Sequence, residues 1–322
     1  MSASSIAIMG CGNIGSSIAK GLVKSGAAAK NITLTRRKLE SLAEFKKAGF
    51  QITDDNTLAV KECKIILMSV GPSQLMDLLD DITPHLTKDH LLISIVSGIE
   101  IAKIQEKVGT EIHIVRAMPN TAAVLCESMT CLSSLAEFDK GLKTTQTLFN
   151  SVGQTLIIDE EQMASATALC ACGVAFFLRA IRAASQGGIE IGFDSDEAFT
   201  IAAQTARGAA TLLLDNDAHP EAEIDRVTTP MGATIAGLNE MEHQGFSFND
   251  LRTMLQFLMN RKKVSEKGSL QADPAPFVRV PPNFRERNQW VIKQALDTGV
   301  YGLVLPHLNN VDDAQAAVVA AR

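Results

Sequence analysis

The sequence predicts an α/β fold. It reads as a doubly wound amino-terminal domain over residues 1–158, an all-α domain over 159–265 and a short βαβα appendage over 266–322. Three observations carry this reading. Short apolar runs alternate with amphipathic helical stretches up to about residue 158. From Gln162 to about Lys263 the strand signals vanish and alanine-rich helical runs replace them. Beyond Gly268 the composition changes again: the only Trp (Trp290), the only Tyr (Tyr301) and five of the ten prolines lie there.

The strands of the first domain read as Ser5–Met9, Asn31–Thr35, Lys64–Val70, His90–Val96 and Glu111–Ala117, with helices such as Ile14–Ser25 and Lys38–Lys47 between them. That rhythm means βαβ units and a mainly parallel sheet with helices on both faces. Two further strands, near Ser128–Leu132 and Gln154–Ile158, flank a helix around Phe138–Ser151. In the second domain Ala164–Ala184 and Ala198–Leu214 are apolar around much of their circumference, so they must be buried. About 100 residues cannot cover such helices in one copy, which predicts a dimerisation domain; a compact helical domain folded on the sheet is the alternative. The tail reads as strand Phe277–Val280, helix Arg285–Thr298, strand Gly302–Pro306 and helix Val311–Arg322. Two βα units cannot cover both faces of a parallel sheet, so the tail reads as a loosely ordered fragment of something larger.

A chain of 322 residues with 46% hydrophobic and 20% charged residues has the composition of a globular protein. A net charge of −6 and a pI near 5.6 argue against a nucleic-acid or anionic-membrane partner. No signal-peptide pattern precedes the first strand, and no apolar run is read as long enough to span a membrane. The six cysteines lack metal-ligand spacing, which points to reduced thiols and a cytoplasmic setting. The histidines are scattered, so no metal is expected.

Gly10-Cys11-Gly12-Asn13-Ile14-Gly15 follows the first strand directly and opens a helix, the context in which a glycine-rich turn approaches a pyrophosphate. The first domain is therefore read as Rossmann-like. An NAD site has an acid at the end of the second strand to bond the ribose hydroxyls. This chain reads Thr33-Leu34-Thr35-Arg36-Arg37, with no acid before Glu40. Thr35 and two guanidiniums suit the 2′-phosphate of NADPH in preference to NADH; a solvated basic helix start is the alternative. At the carboxyl ends of later strands lie Ser69-Val70-Gly71-Pro72 and Arg116-Ala117-Met118-Pro119-Asn120-Thr121. Ligands of open α/β sheets bind there, so Ser69–Pro72 and Ala117–Asn120 should border the nicotinamide.

One further segment, Asp225–Leu238, has a helical turn ended by Pro230, a tight path at Gly232 and Thr234 where an apolar helix begins. A helix start offers unpaired amides and a positive dipole end to a small carboxylate, though an ordinary capped turn would look the same.

These motifs together resemble the pyrroline-5-carboxylate reductases, from about Ile6 to Lys263. The resemblance rests on Met9–Gly15, Val115–Thr121, Ser97-Gly98-Ile99, Ala202–Thr205 with Gly208–Ala210, Asp225–Leu238 and Gly237–Phe246. It implies NADPH-dependent reduction of 1-pyrroline-5-carboxylate to L-proline, in a helical domain interlocked with a second subunit as a dimer or an assembly of dimers. A protonated cyclic imine is already electrophilic, so the protein needs to orient the ring and hold its carboxylate. By resemblance the substrate loop is Thr229, Met231, Gly232, Ala233 and Thr234. The amides of Met231, Gly232 and Ala233 would hold the carboxylate and Thr234 would be the catalytic residue, at the ring nitrogen. Asn56 would contact the cofactor ribose.

The chain departs from the family at Met231 and Thr229, where many members have glycine and serine, at Gly71, where lysine is frequent, and around Cys172-Gly173-Val174 and Phe176. A β-hydroxyacid dehydrogenase would carry a lysine on the long helix, and Ser165–Ala180 has none. Another imine or ketimine reductase, or a catalytically silent NADPH-binding protein, are the remaining readings. The tail segments Ala275–Pro281, Val291–Gly299 and Gly302–Pro306 resemble an internal piece of metal-dependent 2-oxo acid aldolases, which are TIM barrels, without the acidic metal ligands.

Overall fold

The computed structural model describes residues 5–135, 140–216, 219–243, 277–279 and 302–304. Its contacts divide the chain into Met1–Gln244 and Gly245–Arg322. The first unit opens with β1 (Ile6–Met9), α1 (Asn13–Lys24), β2 (Ile32–Thr35), α2 (Ala43–Lys47), β3 (Gln51–Thr53), α3 (Asn56–Glu62), β4 (Ile65–Met68), α4 (Pro72–Ile82), β5 (Leu91–Ser94), α5 (Ile101–Val108) and β6 (His113–Met118). It continues with β7 (Ser128–Ser133), α6 (Lys140–Asn150) and β8 (Gly153–Ile157). The helices α7 (Met163–Ala166), α8 (Gly173–Glu190), α9 (Ser195–Asn216), α10 (Pro220–Val227) and α11 (Ala233–His243) follow.

The sheet order is β3-β2-β1-β4-β5-β6-β7-β8, parallel except for the β6–β7 pair. All four residues of β1, β2 and β4 are buried, because helices cover both faces. Alternation along each strand divides the core in two. Ile6, Ile8, Leu34, Ile65 and Leu67 pack with α1 and α6. Ala7, Met9, Ile66, Met68 and Leu92 pack with α3, α4 and α5 on the other face. The chain reverses direction across the sheet between β1 and β4, and the crevice at their carboxyl ends is where ligands of such folds bind.

The expected strands are present at these positions, and the short edge strand β3 is added to them. The expected helix over Lys38–Lys47 is instead a 3₁₀ turn at Leu39–Leu42 followed by α2. Within the first unit, the start of the helical segment expected from residue 159 is held against the sheet, with Met163 and Ala166 packed on Met118 and Cys131. Arg116 pairs with Glu160, and the Asn120 amide donates to the Cys170 carbonyl.

The expectation about membrane-length segments needs correction. Glu160–Glu190 runs as 31 helical residues containing an 18-residue window of mean hydropathy 1.7, long and apolar enough to cross a membrane by length and composition. Reading the apolar runs separately hid this, because α7, a π-turn at Thr167–Ala171 and α8 join end to end. Phe177, Leu178, Phe199, Ile201 and Leu214 stand exposed on α8 and α9, the pattern of helices that a second copy covers.

In the second unit, β9 (Phe277–Arg279) and β10 (Gly302–Val304) form a parallel pair with Phe277 beside Gly302, where the two tail strands were expected. The expected tail helices, and the loose order expected there, lie outside the described residues.

Candidate functional site

The glycine loop sits where β1 hands over to α1. Gly10 has φ +80, and a Cβ there would lie 2.5 Å from Val70 Cγ1 and 3.0 Å from the Val70 nitrogen. A Cβ on Gly15 would lie 2.7 Å from Ser69 Oγ. The loop and the β4–α4 connection are therefore packed backbone to backbone. Ser69 stitches them, its Oγ reaching the Met9 and Gly10 carbonyls at 3.0 Å each. Gly12 caps α1, and around it a Cβ would meet only the Gly10 carbonyl, at 3.8 Å. Open space there, before the amides of Asn13, Ile14 and Gly15, is a cradle shaped for a phosphate. The residues present fit a dinucleotide.

Other expected cofactor residues divide by what their side chains already do. Cys11 is wholly buried, its Sγ 3.4 Å from Ser16 Oγ and its amide bonded to the Thr35 carbonyl, and burial pushes its thiol pKa up. Thr35 is 2% exposed, and its hydroxyl donates to Asn56 Oδ1 at 2.7 Å. That bond orients Asn56 at the start of α3, where Asp55 caps the Thr57 and Leu58 amides. Arg36 and Arg37, directly after the end of β2, are exposed. Gly71 caps α4, its amide bonded to Gln74 Oε1, with Pro72 in the first turn. Val70 is half-buried.

Ala117 and Met118 are buried in the core and Pro119 is buried beside them, so only backbone is presented from that stretch. Asn120 is a junction. Its Oδ1 accepts the Ala122 amide, its Nδ2 donates to the Cys170 carbonyl at 3.3 Å, and its own amide donates to Ser128 Oγ.

The expected substrate loop lies between α10 and α11. Met231 adopts φ +56, one of two non-glycine residues with positive φ among the described residues, and its side chain is fully exposed. This is the position at which many relatives of the resembled family carry glycine. Its left-handed backbone explains why glycine suits it. The Gly232 amide donates to the Thr229 carbonyl at 3.0 Å, and a Cβ on Gly232 would collide with Thr229 Oγ1. Gly232 thus closes the turn, and the amides of Ala233 and Thr234 form the first turn of α11. Thr229, Ala233 and Thr234 are exposed.

Two features had no local signal in the sequence. Arg116, 3% exposed, holds Glu160 Oε1 at 2.9 Å, and the same oxygen accepts the Ile101 amide at 2.7 Å. The π-turn at Thr167–Ala171 brings Cys170 Sγ to 3.4 Å from Cys131 Sγ on β7. His90 is structural, bonded to Thr87 and to the Val60 carbonyl. Among the described residues no cluster of three His, Cys, Asp or Glu side chains is placed to hold a metal.

Comparison with known proteins agrees with this geometry. Residues 160–260 match the family model for pyrroline-5-carboxylate reductase dimerisation. Residues 5–98 match the model described as NADP oxidoreductase, coenzyme F420-dependent. Pyrroline-5-carboxylate reductase 2 of Dictyostelium discoideum is 51% identical over 259 residues, covering 75% of this chain and 87% of that protein. Pyrroline-5-carboxylate reductase 1 of the same organism is 51% identical over 255 residues, but the chain spans only 46% of its length. Among solved structures, the Plasmodium falciparum pyrroline carboxylate reductase with NADP bound is 26% identical with a TM-score of 0.73, over 81% of this chain and 97% of that one.

Proposed function

This chain belongs to the pyrroline-5-carboxylate reductase family, and on that premise we propose that it reduces 1-pyrroline-5-carboxylate to L-proline with NADPH. The observation that carries this reading is the 51% identity over 259 residues, which covers 75% of this chain and 87% of that relative. The carboxyl-end crevice between β1 and β4, with its open cradle at Gly12, supports the same reading.

NADPH, when bound, supplies the hydride. The chain's own residues then do the following. Asn13, Ile14 and Gly15 present backbone amides to the pyrophosphate at the positive end of α1, while Gly10, Cys11 and Gly12, whose amides bond the Thr35 and Gly10 carbonyls, shape the turn. Arg36 and Arg37 reach the 2′-phosphate, and Thr35 holds Asn56 in position for the ribose. Ser69, Val70, Gly71, Pro72, Ala117, Met118, Pro119 and Asn120 wall the nicotinamide end through their backbones, shielding it from water.

The substrate carboxylate docks at the start of α11, on the amides of Met231, Ala233 and Thr234. Gly232, whose amide already serves Thr229, shapes the turn. The Thr234 hydroxyl bonds the ring nitrogen and fixes the ring face. Protonation of the imine nitrogen makes the ring carbon bonded to it electrophilic enough to accept the hydride without a strong enzymatic acid, so orientation is the main contribution of the protein. The exposed apolar faces of α8 and α9 bury themselves in a homodimer, alone or as a unit of a larger assembly, working in the cytoplasm without nucleic-acid or membrane partners. The six free thiols support that compartment.

The test is direct. Purified protein with NADPH and 1-pyrroline-5-carboxylate should consume both and yield L-proline in equal amount, with NADH a poorer donor. Equal use of NADH and NADPH would overturn the roles given to Arg36 and Arg37.

A further inference from the structure

The cysteines play no part in the reductase reading, yet two of them are brought together from distant places. Cys131 lies on β7, 4% exposed, and Cys170 lies half-buried in the π-turn, with 3.4 Å between their sulfurs. Both line a cavity of about 440 Å³ bounded also by Asn120, Leu169, Gly173 and Phe177. The π-turn itself is a local departure from helical geometry of the kind found at functional positions. It ends where the Cys172 amide bonds back to the Thr167 carbonyl. The pair is also coupled to the cofactor crevice, because the Cys170 carbonyl accepts from Asn120 Nδ2 at 3.3 Å.

We propose that Cys131 and Cys170 are a thiol modification site, at which a small peroxide forms an internal disulfide that slows the reductase reversibly. Cys170 is the attacking group. The hydrogen bond from Cys131 lowers its thiol pKa to about 7, while the same bond and burial push that of Cys131 up. The Cys170 thiolate attacks the O–O bond, gaining an S–OH group and expelling hydroxide, which takes up a proton to become water. The Cys131 sulfur then attacks the Cys170 sulfur, loses its proton and expels hydroxide as a second water. Two thiols are oxidised to one disulfide and one peroxide is reduced to two waters.

Bond formation requires the sulfurs to approach by roughly 1.3 Å, to a bonded length near 2.05 Å. That movement pulls the Cys170 backbone and, through it, Asn120 at the nicotinamide wall. A misplacement of about 1 Å in a catalytic assembly can cost on the order of a hundredfold in rate, so a partly relaxed shift should cost about tenfold in kcat.

The experiment treats the intact reductase with dilute hydrogen peroxide and then with dithiothreitol. Non-reducing peptide mapping and NADPH turnover are followed together. The expected result is a cross-linked peptide joining Cys131 to Cys170, a roughly tenfold fall in kcat and full recovery on reduction. Cys131→Ser and Cys170→Ser should keep the kcat of the reduced enzyme and lose the reversible inhibition, whereas Cys172→Ser should retain it. Absence of the cross-link, a cross-link without a change in kcat, or reversible inhibition persisting in Cys131→Ser would each overturn the proposal. Only the kcat arm rests on the reductase reading. A reduced enzyme with no turnover would sink that reading, and the peptide map would still decide the thiol pair.

Discussion

Replacing Glu160 with Gln should destabilise the protein more than any other single polar substitution near the site. The Glu160 carboxylate holds Arg116, whose side chain is 3% exposed, and it also accepts the Ile101 amide. Removing one partner of a fully buried ion pair costs about 3–5 kcal/mol, because the remaining charge is stranded. Glu160 is itself 19% exposed, so water reaches the site and the cost falls toward the lower end, about 3 kcal/mol. For a chain of this size that is a fall in Tm of roughly 6–12 °C. Gln retains an oxygen for the Ile101 amide; Glu160→Ala loses that bond too and should cost about 1 kcal/mol more. Thermal unfolding of both variants, of Arg116→Met and of the double variant closes the cycle. Arg116→Met in the Glu160→Gln background should recover part of the loss, since no guanidinium is then stranded. A Tm for Glu160→Gln within about 1 °C of the parent would refute the reasoning, showing that water alone satisfies Arg116.

Other expectations follow from the crevice and the loop. Arg36→Ala with Arg37→Ala should raise the NADPH Kd about tenfold to a hundredfold, the loss of one or two charge-assisted bonds, and leave the NADH Kd nearly unchanged. Equilibrium titration of both cofactors checks this. Gly10→Ala places a Cβ 2.5 Å from Val70 Cγ1 at a φ of +80, so cofactor binding should be lost with a clear fall in Tm. Normal NADPH affinity in that variant would contradict the packing described. Thr234→Ala should keep NADPH binding while kcat/KM for the imine falls about a hundredfold, the scale for removing one oriented donor. A fully active variant would remove Thr234 from the mechanism.

Much of this fold is legible in the sequence because its strands are buried on both faces. Ile6-Ala-Ile-Met9 and Ile65-Ile-Leu-Met68 are continuous apolar runs, which a strand open to water would not tolerate. The strand Gln51–Thr53 escaped for the opposite reason, since it is three residues long, at the sheet edge and partly exposed. The glycine loop and the basic end of β2 could be read locally, because backbone approach and phosphate recognition demand particular residues at fixed spacing.

What could not be read is non-local. Arg116 meets Glu160 across 44 residues and Cys131 meets Cys170 across 39, with no periodicity or motif joining either pair. The sequence reads the Thr35 hydroxyl as a partner for the 2′-phosphate, and only the three-dimensional packing shows it committed to Asn56. The left-handed backbone at Met231 was hidden by its side chain, because a methionine gives no hint of positive φ.

The central claim is tested most directly by incubating the purified chain with 1-pyrroline-5-carboxylate and NADPH and quantifying L-proline against NADPH consumed. Stoichiometric proline formation, faster with NADPH than with NADH, is the predicted result. A folded protein that binds NADPH but forms no proline above the uncatalysed background would contradict the account.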